Sequence, residues 1–326
     1  MLPGLAVSII SLSIILYIAD IGKSIDEIKR ADYRYVILAI GLTLLWLIVR
    51  AFAWRTLLRE QASFNQVFYT VNEGYLLNNI LPFRLGEIGR AFILSRKTVL
   101  GFWEVFSSIL IERILDLGIA VGLLLISLPY AVGADWALQG ALGFGLLVII
   151  GFVLLYLLAR NRHKAMALFN KLRSRWVILQ KFGEERANAF FDGLEVLKET
   201  RRSLQAIGWI LLDWAIAVIQ YYILLLAFFP NAKPLWAAFT LGVAAIGIAA
   251  PSSPAGIGVF ELLIIGALAA FSPDSAKAFS FATTAHIIQI LVTGIFGGLG
   301  FIRDGESIVS IYRQSSQVPK NPTAND

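Results

Sequence analysis

The chain has 326 residues, 58% of them hydrophobic and only 15% charged, with a mean hydropathy of +0.73. Soluble domains sit nearer half apolar and a quarter charged, and a membrane β-barrel would show short alternating segments rather than long apolar runs. The composition therefore describes an all-α polytopic membrane protein. The net charge of +6 is concentrated: residues 160–202 hold eleven Lys/Arg against five Asp/Glu. In a membrane protein such basic loops report the cytoplasmic side, not a nucleic-acid partner.

Residues 2–19 form a charge-free first span, with no basic start of the kind a signal peptide needs. Residues 20–34 balance Asp20, Asp26, Glu27 and Asp32 against Lys23, Lys29, Arg30 and Arg34, as in a short surface helix. A second span covers 35–58. Its Arg55 and Arg59 read as interface anchors that snorkel, while Arg50 lies deeper. Residues 66–81 and 86–97 are two helical runs, the second too short to cross a membrane, since a span needs about 20 residues. A long helix over 103–130 carries Glu112, Arg113 and Asp116, with Glu112 and Asp116 on one face at i, i+4. Span 137–159 leads into the basic loop 160–203, read as a solvated cytoplasmic linker in preference to a headgroup-binding segment. Span 204–229 contains Asp213, the short runs 235–250 and 257–271 flank a Pro/Gly break, and the last span is 277–301. The membrane domain is residues 1–303, and 304–326 form a polar tail.

Two stretches break the oily pattern: Asn78-Asn79-Ile80-Leu81-Pro82-Phe83-Arg84-Leu85-Gly86-Glu87-Ile88-Gly89-Arg90 and Pro251-Ser252-Ser253-Pro254-Ala255-Gly256-Ile257-Gly258-Val259-Phe260-Glu261. Each has a Pro, a Gly four positions on, then a Glu. Irregular backbone at membrane depth survives only inside protein or beside water, and paired breaks in matching positions point to a transporter's central site. The order span, span, broken pair, long span occurs over 2–130 and again over 137–301. The expected fold is thus two inverted repeats, each with three spans and a broken re-entrant helix pair. A rival arrangement makes 66–82, 235–250 and 257–271 true spans. Gly118/Gly122 and Gly294/Gly298 are small-xxx-small pairs suited to close helix packing.

In the inverted arrangement both broken pairs bring helix N-termini to mid-membrane, where free N–H groups and the positive dipole end favour an anion. Arg84 and Arg90 add charge, and Ser252 and Ser253 are candidate caps or donors. The candidate translocation site is therefore Asn78, Asn79, Arg84, Glu87, Arg90, Glu112, Arg113, Asp116, Asp213, Ser252, Ser253 and Glu261. Some of the acids must pair with the arginines, because unpaired charge in lipid is expensive. A single acid such as Asp213 or Glu261 is a candidate proton carrier, although nothing in the sequence requires one. The absence of cysteine, with only His163 and His286, argues against a metal site, and no cofactor is expected. No Gly-x-x-x-x-Gly-Lys-Ser/Thr motif is present to use ATP.

The residues Arg50, Trp54-Arg55, Asn78-Asn79, Pro82, Arg84, Gly86-Glu87, Arg90, Glu112-Arg113, Asp116, Pro254, Gly256, Gly258 and Glu261 resemble, in their spacing, the membrane domain of lysylphosphatidylglycerol synthases and the standalone flippase-like membrane proteins of that superfamily. The resemblance covers residues 2–303. It implies a non-enzymatic lipid flippase or flippase-like transporter in a prokaryotic cytoplasmic membrane; the inward helix termini and the arginines make a lipid with an anionic headgroup the expected partner. In the synthases a separate soluble domain makes the lipid; only 23 residues follow Arg303 here, so translocation without synthesis is expected. Ala255 departs from the Gly that relatives often carry, which stiffens the tip. The alternatives are a membrane-embedded enzyme acting on a phospholipid or polyprenyl phosphate, and a non-transporting scaffold docking through the basic loop. The lipid and the direction are not readable from the sequence, and a homo-oligomer is open.

Overall fold

The structure is a computed structural model that describes residues 2–81, 85–131, 135–173, 183–248 and 254–305. Every regular element among them is helical: α1 Leu2–Ile18, α2 Ile21–Arg30, α3 Tyr33–Leu57, α4 Phe64–Ile80, α5 Gly86–Lys97, α6 Phe102–Ala131, α7 Asp135–Arg160, α8 Arg162–Arg173, α9 Glu184–Gly193, α10 Thr200–Leu226, α11 Pro234–Ile248, α12 Val259–Leu268 and α13 Ser275–Asp304, with 3-10 turns at Leu194–Lys198 and Pro254–Gly256. Side chains fix many of the starts. Asp20, Asp32 and Asp274 accept from backbone N–H groups at the heads of α2, α3 and α13, and Ser63 with Gln66 forms a capping box on α4.

Among the described residues, three helices are long and apolar enough to cross a membrane by length and composition: Tyr33–Leu57, Thr200–Leu226 and Ser275–Asp304. The 25 residues of α3 rise about 38 Å at about 1.5 Å each. A further apolar stretch, Gly145–Arg160, bends by 99° into Arg162–Arg173. The outer faces of α7 and α10 carry exposed Leu146, Leu147, Ile149, Leu211 and Ile219, which suits a lipid-facing surface.

Long-range contacts give the helix directions. Asp32 N–H reaches Ala227 O at 3.4 Å while Phe52 stacks on Trp209, so α3 and α10 pack antiparallel. Asn79 meets Thr293 whereas Gly300 abuts Glu73, so α4 and α13 are antiparallel. Gly242 packs on Ala120 and Leu124, and Phe239 clusters with Leu128, so α6 and α11 are antiparallel too. The shorter runs are out-and-back hairpins. Gln66 Nε2 donates to Lys97 O at 2.8 Å, bringing the start of α4 beside the end of α5. Trp236 stacks on Phe271 with centroids 5.2 Å apart, bringing the start of α11 beside the end of α12.

One end of the bundle gathers the basic segments. Arg59 pairs with Glu104 at 3.1 Å and Glu195 at 3.4 Å, Arg162 with Glu195 at 3.2 Å, and Lys97 with Glu73 and Asp304. Arg59 is therefore bonded into protein rather than snorkelling, and Arg55 Nε donates to Ala62 O at 3.0 Å. Nor is the second half of the basic loop a solvated linker. Ala187, Phe191, Leu194 and Val196 are buried against the α6 core, and a Cβ on Gly193 would lie 1.8 Å from Ser107 Oγ. An apolar stripe among the charges made that docking favourable.

The glycine expectation needs a change of register. A Cβ on Gly122, Gly294 or Gly298 would meet nothing within 4 Å. Close packing instead uses Gly297 and Gly300, whose Cβ atoms would lie 2.5 Å from Asn72 O and 2.8 Å from Glu73. The neighbouring residue on a helix points about 100° away, so correct spacing on the wrong face carries no packing.

Candidate functional site

A cavity of about 490 Å³ sits where the two hairpin tips meet. Asn78 and Asn79 from the first hairpin and Ala255 and Gly256 from the second line it, with walls from α3, α6, α10 and α13. Gly86 allows the first tip to form: a Cβ there would lie 2.0 Å from Gly74 O, so only glycine fits. Asn78 Oδ1 accepts the Gly86 N–H at 2.8 Å. At the second tip Gly256 and Gly258 have φ of 73° and 86°, where glycine is unstrained, while Ala255 is held at 56°.

One expectation for these tips needs correction. The N–H groups of Gly86 and Gly258 are not free for an anion, because Asn78 fills the first and Glu261 Oε2 takes the second at 2.7 Å. The N-cap of α12 is a glycine, Gly258. Ser252, Ser253 and Arg84 lie outside the described residues. Glu87 and Glu261 in the first turns of α5 and α12 offset the positive helix ends.

One wall is an ionic cluster built from four helices. Arg50 of α3 lies at its centre and is 4% exposed. Its Nη1 donates to both Asp116 oxygens at 3.1 and 3.0 Å and approaches Glu112 at 3.5 Å; its Nη2 is 2.7 Å from Asp213 of α10. Arg90 of α5 grips Glu112 with two bonds of 3.2 and 2.8 Å and lies 4.0 Å over the Trp54 ring. Arg113 touches Glu112, reaches Asp116 at 3.2 Å and approaches Glu87 at 3.7 Å. Trp214 donates to Asp116 at 2.9 Å and Trp54 to Ser108 at 3.0 Å. Three arginines thus face four carboxylates (Glu87, Glu112, Asp116, Asp213), which leaves a formal charge of −1. Such neutralisation is what a low-dielectric interior demands.

The structure brings together Asn78, Asn79, Glu87, Arg113, Asp116 and Asp213 on the cavity wall. Arg90 and Glu112 are not among the lining residues; they are buried behind it as a strut between α5 and α6. Glu261 also stands back from the lining and holds His286, which does line the cavity, at 2.6 Å. The sequence reading left Arg50, His286, Trp46, Tyr75 and Trp214 off the site. For Arg50 the signal was its depth; for His286 it was a lone polar side chain in an apolar span. Among the described residues, no three or more His, Cys, Asp or Glu side chains come together in a way that could hold a metal.

Comparison with known proteins finds relatives that are named as membrane proteins and one named as a glycosyltransferase. Glycosyltransferase AglD of Haloferax volcanii is 23% identical over 97% of this chain, and the chain covers 56% of that relative's length. A UPF0104 membrane protein of Pyrococcus horikoshii is 24% identical, with 91% of this chain and 95% of the relative covered. Another from Methanocaldococcus jannaschii is 24% identical over 69% of this chain and 92% of the relative. No solved structure matches. Residues 1–297 match the family described as the lysylphosphatidylglycerol synthase TM region, and the chain is an integral membrane protein belonging to that family.

Proposed function

We propose that the protein moves a lipid between membrane leaflets, seating an anionic headgroup in the central cavity while the acyl chains stay in the bilayer. The observation that carries this reading is a cavity with charged walls at the meeting of two hairpin tips inside an otherwise apolar bundle. Its volume falls in the range of about 300–1,000 Å³ usual for small-molecule sites. The antiparallel pairs α3–α10, α4–α13 and α6–α11 support an inverted repeat in which each half contributes three spans and one re-entrant hairpin. The basic end of the bundle, with the 160–203 loop and the C-terminus, is then cytoplasmic.

Arg113 is the cation best placed to receive a phosphate. Its side chain is 29% exposed, against 5% for Arg50 and 2% for Arg90, and its Glu87 contact at 3.7 Å is loose. A phosphate entering the cavity takes over that guanidinium from Glu87, and the bidentate fork suits it.

The alternative of an enzyme acting on a phospholipid or polyprenyl phosphate is favoured by one observation, the similarity to a relative named as a glycosyltransferase. Vesicles containing the protein and fluorescent phosphatidylglycerol separate the two. Transport makes inner-leaflet probe accessible to dithionite, and Arg113→Gln lowers that rate on the order of tenfold, the loss of one charge-assisted bond. If the wild type moves no more probe than empty vesicles, transport of this lipid is refuted; a chemically altered lipid in mass spectra supports the enzyme instead.

A further inference from the structure

His286 sits on α13 at the cavity wall, 8% exposed, with both ring nitrogens facing oxygen. Nδ1 lies 2.6 Å from Glu261 Oε1, and Nε2 lies 3.0 Å from the Ala255 carbonyl at the second hairpin's tip. Phe260 lies against the ring, with centroids 4.6 Å apart and the planes tilted by 44°. The other Glu261 oxygen is held by Gly258 N–H at 2.7 Å.

The arrangement has a definite proton count. A carbonyl only accepts, so Nε2 must carry hydrogen. The short Glu261 contact also needs a hydrogen between its two atoms. A neutral imidazole carries one hydrogen and a carboxylate none, so the bonded state holds one proton more than neutral histidine with ionised glutamate. Whether that proton rests on Nδ1 or on Oε1, the pair is neutral as a whole. Remove it and one contact becomes lone pair against oxygen. The bond to the carboxylate is charge-assisted and the stronger of the two, so the remaining hydrogen stays on Nδ1. Nε2 then faces Ala255 bare. Ala255 is also held at a positive φ of 56°, a conformation that costs a residue with a Cβ.

We infer that Glu261, His286 and the Ala255 carbonyl form a one-proton site that latches the second hairpin's tip over the cavity, and that proton release frees the tip. This rests on the transport reading for its purpose but not for its test. The proton would be the coupling or gating ion that the transporter needs in place of ATP.

The titratable surroundings are few. Glu261 is the only such group on α12, and α11 has none. Across the cavity stand Arg50 of α3, Tyr75 of α4, Glu87 of α5, Arg113 and Asp116 of α6, and Asp213 and Tyr221 of α10. On α13 itself Lys277, Arg303 and Asp304 lie near the helix ends. From α2, which packs on α13 through Ser24 and Ser280, Lys23 and Asp26 are exposed. The nearest partner in the latch is therefore Glu261, and the cavity's other charges are already paired among themselves.

Hydrogen–deuterium exchange of the purified full chain in detergent, read on peptides covering 254–259 and corrected for intrinsic chemical exchange, tests the latch between about pH 5 and pH 9. The wild type is expected to lose protection as pH rises through one single-proton step, by about tenfold, which corresponds to about 1.4 kcal/mol. Glu261→Gln mimics the protonated acid: its amide donates to Nδ1 and its carbonyl accepts from Gly258, so the tip stays protected at every pH. His286→Phe is expected to be unprotected at every pH. A wild-type tip without a pH step, or a step that persists in Glu261→Gln, overturns the proposal. Because this readout moves no lipid, a pH step with inactive vesicles sinks the transport reading and leaves the latch standing.

Discussion

The ion pair between Arg50 and Asp213 offers a sharp test of how the bundle tolerates charge. The two side chains are 5% and 0% exposed and 2.7 Å apart, and among the described residues Arg50 is the one cation within ion-pair reach of Asp213. Asp116, by contrast, keeps Arg113 and Trp214 if Arg50 is removed. Arg50→Met should preserve much of the packing on Trp46, whose ring centroid lies 5.5 Å from the guanidinium, while stranding Asp213. Breaking one partner of a buried pair costs about 3–5 kcal/mol, and the formal charge of the cluster falls from −1 to −2. Asp213→Asn alone moves it from −1 to 0 and should cost much less. The double variant Arg50→Met/Asp213→Asn returns to −1 with no stranded acid. It is expected to be more stable than Arg50→Met by at least about 1.4 kcal/mol, a factor of ten in the unfolding equilibrium. Detergent unfolding followed by the fluorescence of the eight tryptophans measures all three. A double variant no more stable than Arg50→Met would show that Arg50 acts through packing or Asp116, and the charge accounting would be wrong.

Two further perturbations follow from the fold. Gly297→Ala places a Cβ 2.5 Å from Asn72 O and should destabilise by about 1–3 kcal/mol, while Gly298→Ala, facing open space, should fall within about 0.5 kcal/mol of wild type; equal effects would refute the α4–α13 register. The cysteine-free chain also allows single introduced thiols at exposed positions. Lys23→Cys and Ala270→Cys should react with an impermeant maleimide on intact cells, and Val99→Cys and Arg201→Cys only in inside-out vesicles. Protection of Lys23→Cys in intact cells would refute the inverted arrangement, because the all-spanning rival puts residue 23 inside.

Element boundaries were largely legible in the sequence because the signals are local. Gly86 and Lys97 bound α5 as expected, and runs of apolar residues ended by Asp, Ser or Gly caps set α2, α3, α4 and α13 within a few residues. The i, i+3 approach of Arg113 and Asp116 was legible for the same reason. Arg50 was not. Its depth in the span set it apart from Arg55 and Arg59, but its partners Asp116 and Asp213 are 66 and 163 positions away, and nothing local names them. The register of the helix-packing glycines was illegible too, since which face of a helix meets a neighbour depends on the neighbour. His286 is the clearest case: its meaning comes from a carbonyl 31 residues back, exposed to it by a turn that residue-level propensity does not describe.

The two halves join the returning hairpin helix to the next long helix at the same place but with opposite polarity. In the first half the hairpin helix supplies the cation, Arg90, four residues after Gly86, and α6 supplies the acid, Glu112. In the second the hairpin helix supplies the acid, Glu261, three residues after Gly258, and α13 supplies the base, His286. A guanidinium stays charged at any pH the cell meets, whereas the histidine's two contacts need one proton more than neutral histidine with ionised glutamate carries. The first junction is braced further by the Trp54 ring 4.0 Å beneath Arg90 and by Arg50 and Arg113 on Glu112. The second has one carboxylate, one carbonyl and a left-handed alanine. If the second tip is latched by a proton as inferred above, release of that proton would free the second hairpin while the first, braced by its arginines, stays in place. On the transport reading, the arginine wall would hold the headgroup and the histidine wall would admit it.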